Sequence, residues 1–265
     1  MSIQASIVLF NRSSIPASRL FRQCRIILSS STKTNASVHN RCKHEEDAFG
    51  IVAAMTNNQV IGVDGSLPWK NLTQDWNHFV NLTKNKVLLV GRKTFGIEDP
   101  SLEHIRHCRV CIVVSQTMKE EDLIKARVDS GSEQLDTKLL LARSFEDALD
   151  LARLEKCNDA DGDMIDCWVA GGQRLYQEAL RHPAAMEVQL THVDMTVDTH
   201  RFRDVAFFPL KDVYANNFVE VSSTKIGICD FKVFKQVCAE SLNNRCLECK
   251  KSLRRGQSEN HTHLG

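Results

Sequence analysis

The stretch IGVDGSLPWKNLTQDWNHF, residues 61–79, decides how the rest of this chain is interpreted. It begins as a glycine-containing loop, closes on a Pro-Trp pair and continues with the apolar spacing of an amphipathic helix. Asp75 falls in the first turn of that helix, beside Trp76. A carboxylate in aromatic surroundings needs a partner, because an isolated buried charge is costly or takes up a proton. Asp75 is therefore a candidate ligand for a flat heterocycle with adjacent ring N–H and amino donors. Taken alone, it is more simply an acid that complements the helix dipole.

Short apolar runs alternate with helical segments on both sides of this stretch. The pattern predicts strands at residues 49–55, 86–91, 109–115, 139–142, 164–170, 187–194, 218–223 and 229–236. It predicts helices at residues 72–83, 144–154 and 173–181, the second with Ser144 as its N-cap. This alternation favours an α/β fold with a largely parallel sheet, helices on both faces and an antiparallel hairpin at the carboxyl end.

The order of short motifs along residues 47–238 resembles the dihydrofolate reductase family. The motifs are Ile51 to Met55, Ile61-Gly62, Leu67-Pro68-Trp69, Asp75, Phe79, Gly91 to Thr94, Arg109, Val113 to Ser115, Val169 to Gly172, Tyr176 and Leu190 to His192. They come in the family's order at near-family spacings, which is more specific than any single motif. The resemblance implies a three-layer fold with a central, mostly parallel eight-stranded sheet and an antiparallel C-terminal strand. It also implies NADPH-dependent reduction of 7,8-dihydrofolate to tetrahydrofolate, which supplies one-carbon metabolism and thymidylate, purine and glycine synthesis.

By the same resemblance, NADPH contacts two groups of residues. Ala54, Ile61 and Gly62 would meet the nicotinamide. Phosphate groups call for backbone N–H donors at helix starts together with cations. The residues that would hold the phosphates and the neighbouring cofactor surface are Arg92, Lys93, Thr94, Ser115, Gly171, Gly172, Gln173, Arg174, Leu175 and Tyr176. Arg92, Lys93 and Ser115 are assigned to the 2′-phosphate, and a cis peptide is expected between Gly171 and Gly172.

The resemblance likewise assigns the substrate side. Asp75 would grip the pterin ring, with Thr191 donating its hydroxyl to the carboxylate and Trp69 positioning a water. Arg109 would bind the α-carboxylate of the substrate. Taken by itself, its position indicates a surface charge at the end of a strand. The remaining substrate contacts would be Ile51, Val52, Trp76, Phe79 and Ala170, each equally credible as core.

Several features depart from the family's usual pattern, among them Phe95, Ala170 and Gln173, which replace the residues usual at those positions. Arg106 occupies a position that is usually apolar, and we expect it to border the ligand together with Ala170. The connection at residues 198–209 carries extra residues, which we expect to form a surface loop, a change that costs little.

Composition narrows the class of protein. The 265 residues carry a net charge of +1, which gives no signal for nucleic acid or an anionic membrane. The ten cysteines are scattered and no secretory signal precedes them, so we expect reduced thiols and no metal centre. We expect no membrane span, no specific nucleic-acid partner and a monomer.

The two ends of the chain differ from its centre. Residues 1–46 are rich in serine and arginine and contain no acid before Glu45, a composition typical of a mitochondrial transit peptide. The alternatives are a disordered basic extension or an incorrectly assigned start, and the alternative location is the cytoplasm. Residues 239–265 lose all apolar periodicity, which predicts a polar, disordered tail.

Two other functions remain open at this stage. A related reductase acting on another pterin, or on a pyrimidine intermediate of riboflavin synthesis, would share the fold but not the set Asp75, Thr191 and Arg109. A non-catalytic protein could keep the pocket for NADPH or folate, or use the basic amino-terminal segment to contact RNA.

Overall fold

The computed structural model describes residues 48–96, 102–129, 136–155 and 165–237. The extension expected at residues 1–46 and the tail expected at residues 239–265 lie outside this part of the chain.

The described residues contain ten strands, six α-helices and a short 3-10 helix at Thr199–Arg201. The strands are β1 (Phe49–Thr56), β2 (Val60–Val63), β3 (Val87–Gly91), β4 (Val110–Val114), β5 (Lys138–Ala142), β6 (Cys167–Val169), β7 (Ala185–Val193), β8 (Val205–Phe207), β9 (Phe218–Ile226) and β10 (Cys229–Gln236). The helices are α1 (Thr73–Thr83), α2 (Arg92–Phe95), α3 (Glu120–Asp129), α4 (Phe145–Leu154), α5 (Gln173–Arg181) and α6 (Leu210–Ala215).

Eight of the strands form one sheet in the order β5-β4-β3-β6-β1-β7-β10-β9. The strands from β5 to β7 run parallel, while β10 is antiparallel to both β7 and β9. The predicted α/β fold with an antiparallel C-terminal strand is therefore confirmed.

A separate cluster of buried residues covers each face of the sheet. Phe49, Ile51, Ala53 and Met55 of β1 pack into one cluster with residues of α4 and α5. Val52, on the opposite side of the same strand, packs into the other cluster, which α1, α2 and α3 help to cover. This division follows from the alternation of side chains along a strand.

The helices dock through apolar residues at helical spacing. In α4 the buried residues are Phe145, Ala148, Leu149 and Ala152, and the Ser144 hydroxyl accepts a hydrogen bond from the Asp147 amide at 3.1 Å. This N-cap agrees with the sequence prediction. In α5 the buried residues are Leu175, Tyr176, Ala179 and Leu180.

The connection at residues 198–209 is more than the expected surface loop. Its strand β8 pairs antiparallel with β2, which leads into the glycine loop at residues 61–69. The connection thereby fixes one side of that loop. Sequence patterns missed both strands because each is only three or four residues long and partly exposed.

Candidate active site

A large cavity opens where the parallel strands reach their carboxyl ends. Its volume is 1320 Å³, compared with roughly 300–1,000 Å³ for a pocket that holds one drug-sized ligand. The lining comes from the ends of β1, β3, β4 and β6, from the start of α5, from α1 and from the loop after β2. The cavity has room for two ligands side by side, and its two halves differ in character.

The half beside α1 is apolar around one acid. Trp76, Phe79, Val52 and Ala170 line it together with Asp75, as the sequence predicted. The aromatic rings of Trp76 and Phe79 lie 5.9 Å apart, centroid to centroid, and form one wall. This surface suits a flat aromatic ligand whose polar edge faces the carboxyl group.

Asp75 is held against the fully buried Thr191. Burial raises the pKa of the Asp75 carboxyl, and a hydrogen bond with the Thr191 side chain partly offsets that rise. Thr191 itself lies beneath the cavity surface, on β7 beside Ala54 of β1. Thr191 can therefore orient the carboxyl group while leaving its other lone pairs free for a ligand.

A histidine that the sequence did not single out supports the aromatic wall. The His107 ring packs edge-on against Trp76 and Phe79, and its Nε2 lies 2.6 Å from the Thr83 hydroxyl. That hydroxyl donates its only proton to the Phe79 carbonyl at 2.6 Å, so Nε2 of His107 must be the donor. Burial lowers the pKa of His107 to about 4, which keeps the ring neutral.

The loop between β2 and α1 covers the middle of the cavity. Ile61, Gly62 and Trp69 line it, as does Ala54 at the end of β1. The small residues Ala54 and Gly62 leave room for a ring between the two halves. These are the positions that the sequence assigned to the nicotinamide and to an ordered water.

The other half of the cavity is cationic and closely packed at its base. Arg92, Lys93, Thr94 and Ser115 line it, as expected for a phosphate site. Gly172 packs closely against Thr94, since a Cβ added at Gly172 would lie 3.4 Å from the Thr94 hydroxyl oxygen. The Gly171–Gly172 peptide is cis, which confirms the sequence expectation.

The start of α5 faces the same space. Gly172 precedes the helix, no side chain caps it, and Gln173, Arg174 and Leu175 line the cavity. Uncapped N–H groups at a helix start bind anions, so this end fits a pyrophosphate. Tyr176 also lines the cavity, and its hydroxyl donates to the Val52 carbonyl at 2.8 Å.

Sequence reasoning missed several lining residues. Arg143 follows β5 and donates to the carbonyls of Ser115 and Met118, at 3.2 and 2.5 Å. Its position just beyond a parallel strand was the signal that could have found it. The others include Leu88, Val90, His104, Gln116, Thr117, Ser144 and three residues of the connection, Asp204, Val205 and Ala206.

Three sequence expectations are corrected. Ile51 is fully buried in the core on the opposite face from Val52, so its side chain does not line the cavity. Arg109 does not line the cavity. Its guanidinium pairs with Asp166 at 2.6 Å and donates to the Asn85 and Glu155 carbonyls.

The third correction concerns Arg106, which does not border the cavity either. Its guanidinium lies 3.9 Å from the carboxylate of Glu103, three residues earlier in the chain, and it is not among the residues that line the cavity. Ala170, another departure from the family pattern, does line the cavity.

The α/β fold thus carries a cavity with an apolar half around one acid and a cationic half beside a helix start. Residues 48–228 match the family model described as dihydrofolate reductase. Similar proteins named dihydrofolate reductase include that of Sus scrofa, 28% identical over 173 residues, which is 62% of this chain and 81% of the relative. That of Mus musculus is 28% identical over 199 residues, 71% of this chain and 97% of the relative. That of Drosophila melanogaster is 28% identical over 161 residues, 58% of this chain and 78% of the relative.

Because the family match spans more than half of the sequence, the chain belongs to the dihydrofolate reductase family. Members of this family are NADPH-dependent oxidoreductases.

Proposed function

We propose that this protein reduces 7,8-dihydrofolate to 5,6,7,8-tetrahydrofolate with NADPH, and so supplies one-carbon metabolism. The proposal rests on the position of Asp75. This acid has a raised pKa and lines the apolar half of the cavity, across from the cationic half. Family membership supports the same reaction and the same cofactor.

The residues of the substrate half would bind and orient the pterin. The Asp75 carboxyl would accept hydrogen bonds from a ring N–H and the neighbouring amino group, while Thr191 keeps it in place. Trp76, Phe79 and Val52 would pack on the ring faces and exclude water, which strengthens the polar contacts at the edge.

The cationic half fits NADPH by the chemistry of its donors. Arg92, Lys93 and Ser115 would hold the 2′-phosphate, and Thr94 with the start of α5 would hold the pyrophosphate. Ala54, Ile61 and Gly62 would place the nicotinamide next to the pterin. When bound, NADPH supplies a hydride to C6 of the pterin.

The chain must also promote protonation at N5 of the pterin. Asp75 would favour the ring tautomer that has the higher proton affinity at N5, by holding the opposite edge of the ring. The proton would come from a water positioned near Trp69 in the loop over the cavity. Asp75 is thereby assigned an electrostatic role and a role in proton transfer.

The test follows NADPH absorbance after 7,8-dihydrofolate is added to purified protein, and identifies the product by mass spectrometry. Asp75→Asn should lower turnover by about 10²–10⁴-fold, the usual contribution of a positioned acid or base. Asp230→Asn is a matched control, since this carboxylate lies on β10 outside the cavity lining. Equal turnover in wild type and Asp75→Asn would overturn the assignment.

We further propose that residues 1–46 direct the protein to mitochondria. Their arginine-rich, acid-poor composition supports this location, with the cytoplasm as the alternative. Fusing residues 1–46 to a fluorescent protein tests it, with Arg19, Arg22 and Arg25 changed to glutamine as the control. Import of both fusions, or of neither, would contradict the proposal.

We propose that the protein acts as a monomer, with one active site per chain. Light scattering behind size exclusion should give a mass close to 29.9 kDa, and a concentration-independent mass of twice that value would contradict it. Within the part of the chain that the structure describes, no helix has both the length and the apolar character needed to span a membrane.

A further inference from the structure

The connection between β7 and β9 places a carboxylate in the cofactor half of the cavity. Asp204, Val205 and Ala206 line the cavity, and together with Arg203 and Phe207 they form a segment that we call the strap, residues 203–207. The sequence prediction treated this segment as a surface loop.

The strap is anchored to the glycine loop. The Asp64 carboxylate accepts hydrogen bonds from the amides of Arg203 and Asp204, at 2.9 and 2.8 Å. The Asp64 amide donates in return to the Asp204 carbonyl at 2.7 Å. Three hydrogen bonds therefore fix the backbone on either side of the Asp204 side chain.

The other end of the strap is fixed to α5. The Phe207 amide donates to the Gln173 side-chain oxygen at 2.8 Å, and β8 pairs with β2 between the two anchors. The strap thus crosses from the glycine loop to the start of the helix that is assigned to the pyrophosphate.

Held in this way, Asp204 contacts a cation assigned to the cofactor. Its carboxylate lies 2.6 Å from Nζ of Lys93. Both side chains are mostly exposed, at 60% and 74%, so the pair adds little to stability. Both groups line the space where a charged ligand would bind, so the pair acts on that ligand as well.

The charges around Lys93 are unfavourable for a dianion. A cavity of 620 Å³ that shares Arg92 and Lys93 with the main cavity is also lined by the carboxylates of Asp64, Asp122 and Asp204. Three aspartates therefore line the same space as the two cations to which the 2′-phosphate of NADPH is assigned, and Asp204 is the one whose carboxylate contacts Lys93. A ribose 2′-hydroxyl carries no charge, and a carboxylate can accept a hydrogen bond from it.

We propose that Asp204 determines cofactor specificity, because it competes with the 2′-phosphate of NADPH for Lys93 and so weakens the preference for NADPH over NADH. This inference rests on the proposed function, since it takes the assignment of Lys93 to the 2′-phosphate from there. Because the backbone of Asp204 is fixed, its carboxylate remains within reach of Lys93 when the phosphate enters.

The test measures dissociation constants of NADPH and NADH by isothermal titration calorimetry, without substrate. Asp204→Asn should tighten NADPH binding by about three- to tenfold, the effect of removing one like charge near a phosphate at partial screening. NADH binding should change by less than about twofold, because the 2′-hydroxyl is uncharged. The tightening of NADPH binding caused by Asp204→Asn should be smaller at high salt.

Two further variants complete the experiment. Asp198→Asn removes a carboxylate from the same connection that pairs with Arg201 outside the cavity lining, and it should change neither constant. In a Lys93→Met background, the gain from Asp204→Asn should be smaller, because the ion pair that competes with the phosphate is gone.

The outcomes separate this inference from the proposed function. If wild type binds both nucleotides and Asp204→Asn leaves the ratio of their dissociation constants unchanged, the inference fails alone. If wild type binds neither nucleotide, the proposed function fails, and the inference fails as well because it depends on that function.

Discussion

At the scale of single residues, Asp75 is held between two opposing influences on its pKa. Burial favours the protonated acid, and the hydrogen bond with Thr191 favours the carboxylate, with burial the larger of the two. The Asp75 carboxylate, to which the ligand would donate hydrogen bonds, therefore lies in an environment that disfavours its charge. Such groups are typical of active sites, where function is maintained at some cost in stability.

This predicts that Asp75→Asn stabilises the protein while removing activity. The pKa of Asp75 is near 3.8 in the unfolded chain and higher in the folded one, so the native state binds more protons between those two values. The free energy of unfolding contributed by this group therefore falls as pH rises through that interval. Thermal unfolding should show a higher Tm for Asp75→Asn at pH 7 and no difference below the unfolded pKa. A lower Tm at pH 7 would contradict this account.

Arg109 provides a second prediction at this scale. The side chain of its partner Asp166 is only 8% exposed, and replacing Arg109 with leucine would leave that carboxylate without its cation. Arg109→Leu should lower the free energy of unfolding by about 2 kcal/mol, less than for a fully buried pair because Arg109 is partly exposed. The KM for dihydrofolate should not change, because Arg109 is outside the cavity lining.

Urea unfolding and steady-state kinetics on the same preparations check this prediction. Arg106→Leu is the control, because its contact with Glu103 is long and exposed and its loss should cost less than about 0.5 kcal/mol. A tenfold rise in KM for Arg109→Leu at unchanged stability would show instead that this guanidinium turns to the substrate.

At the scale of elements, the strap and the glycine loop behave as one unit. Asp64→Ala removes the acceptor of the Arg203 and Asp204 amides while β2 and β8 keep their pairing. Hydrogen–deuterium exchange should therefore accelerate at residues 203–204, and more weakly in the loop at 62–67. Exchange in α4, whose cap at Ser144 is independent of Asp64, should not change. Unchanged exchange at residues 203–204 would contradict the coupling.

The same scale shows which elements could be predicted from sequence. The strands of the large sheet were found because central strands are nearly continuous apolar runs, and α1, α4 and α5 because they carry apolar stripes. The helix α3 was missed because Ile124 and Val128 are exposed and only Leu123 is buried, so no stripe marks it.

The candidate site was predictable to the extent that it depends on local pattern. The alternation of side chains could already have excluded Ile51, since Val52 faces the cavity. The ion pair of Arg109 with Asp166 joins residues 57 positions apart, and the contact of Lys93 with Asp204 joins residues 111 apart. Such contacts depend on how elements distant in sequence pack together, so no local sequence motif predicts them.

At the scale of the whole molecule, one sheet places the substrate half and the cofactor half of the cavity beside each other. The carboxyl ends of β3, β4 and β6 face the cationic half, while β1, β7 and α1 supply the acid and its walls. The central claim is that Asp75 serves the chemical step and leaves cofactor binding to the other half.

A single-turnover stopped-flow experiment tests this claim most directly. Protein in excess over NADPH, so that all of the nucleotide is bound, is mixed with saturating 7,8-dihydrofolate, and the rate of NADPH oxidation is compared between wild type and Asp75→Asn. The account predicts a fall of at least about a hundredfold in that rate, with the NADPH dissociation constant unchanged. An unchanged rate, or a loss explained entirely by weaker NADPH binding, would contradict it.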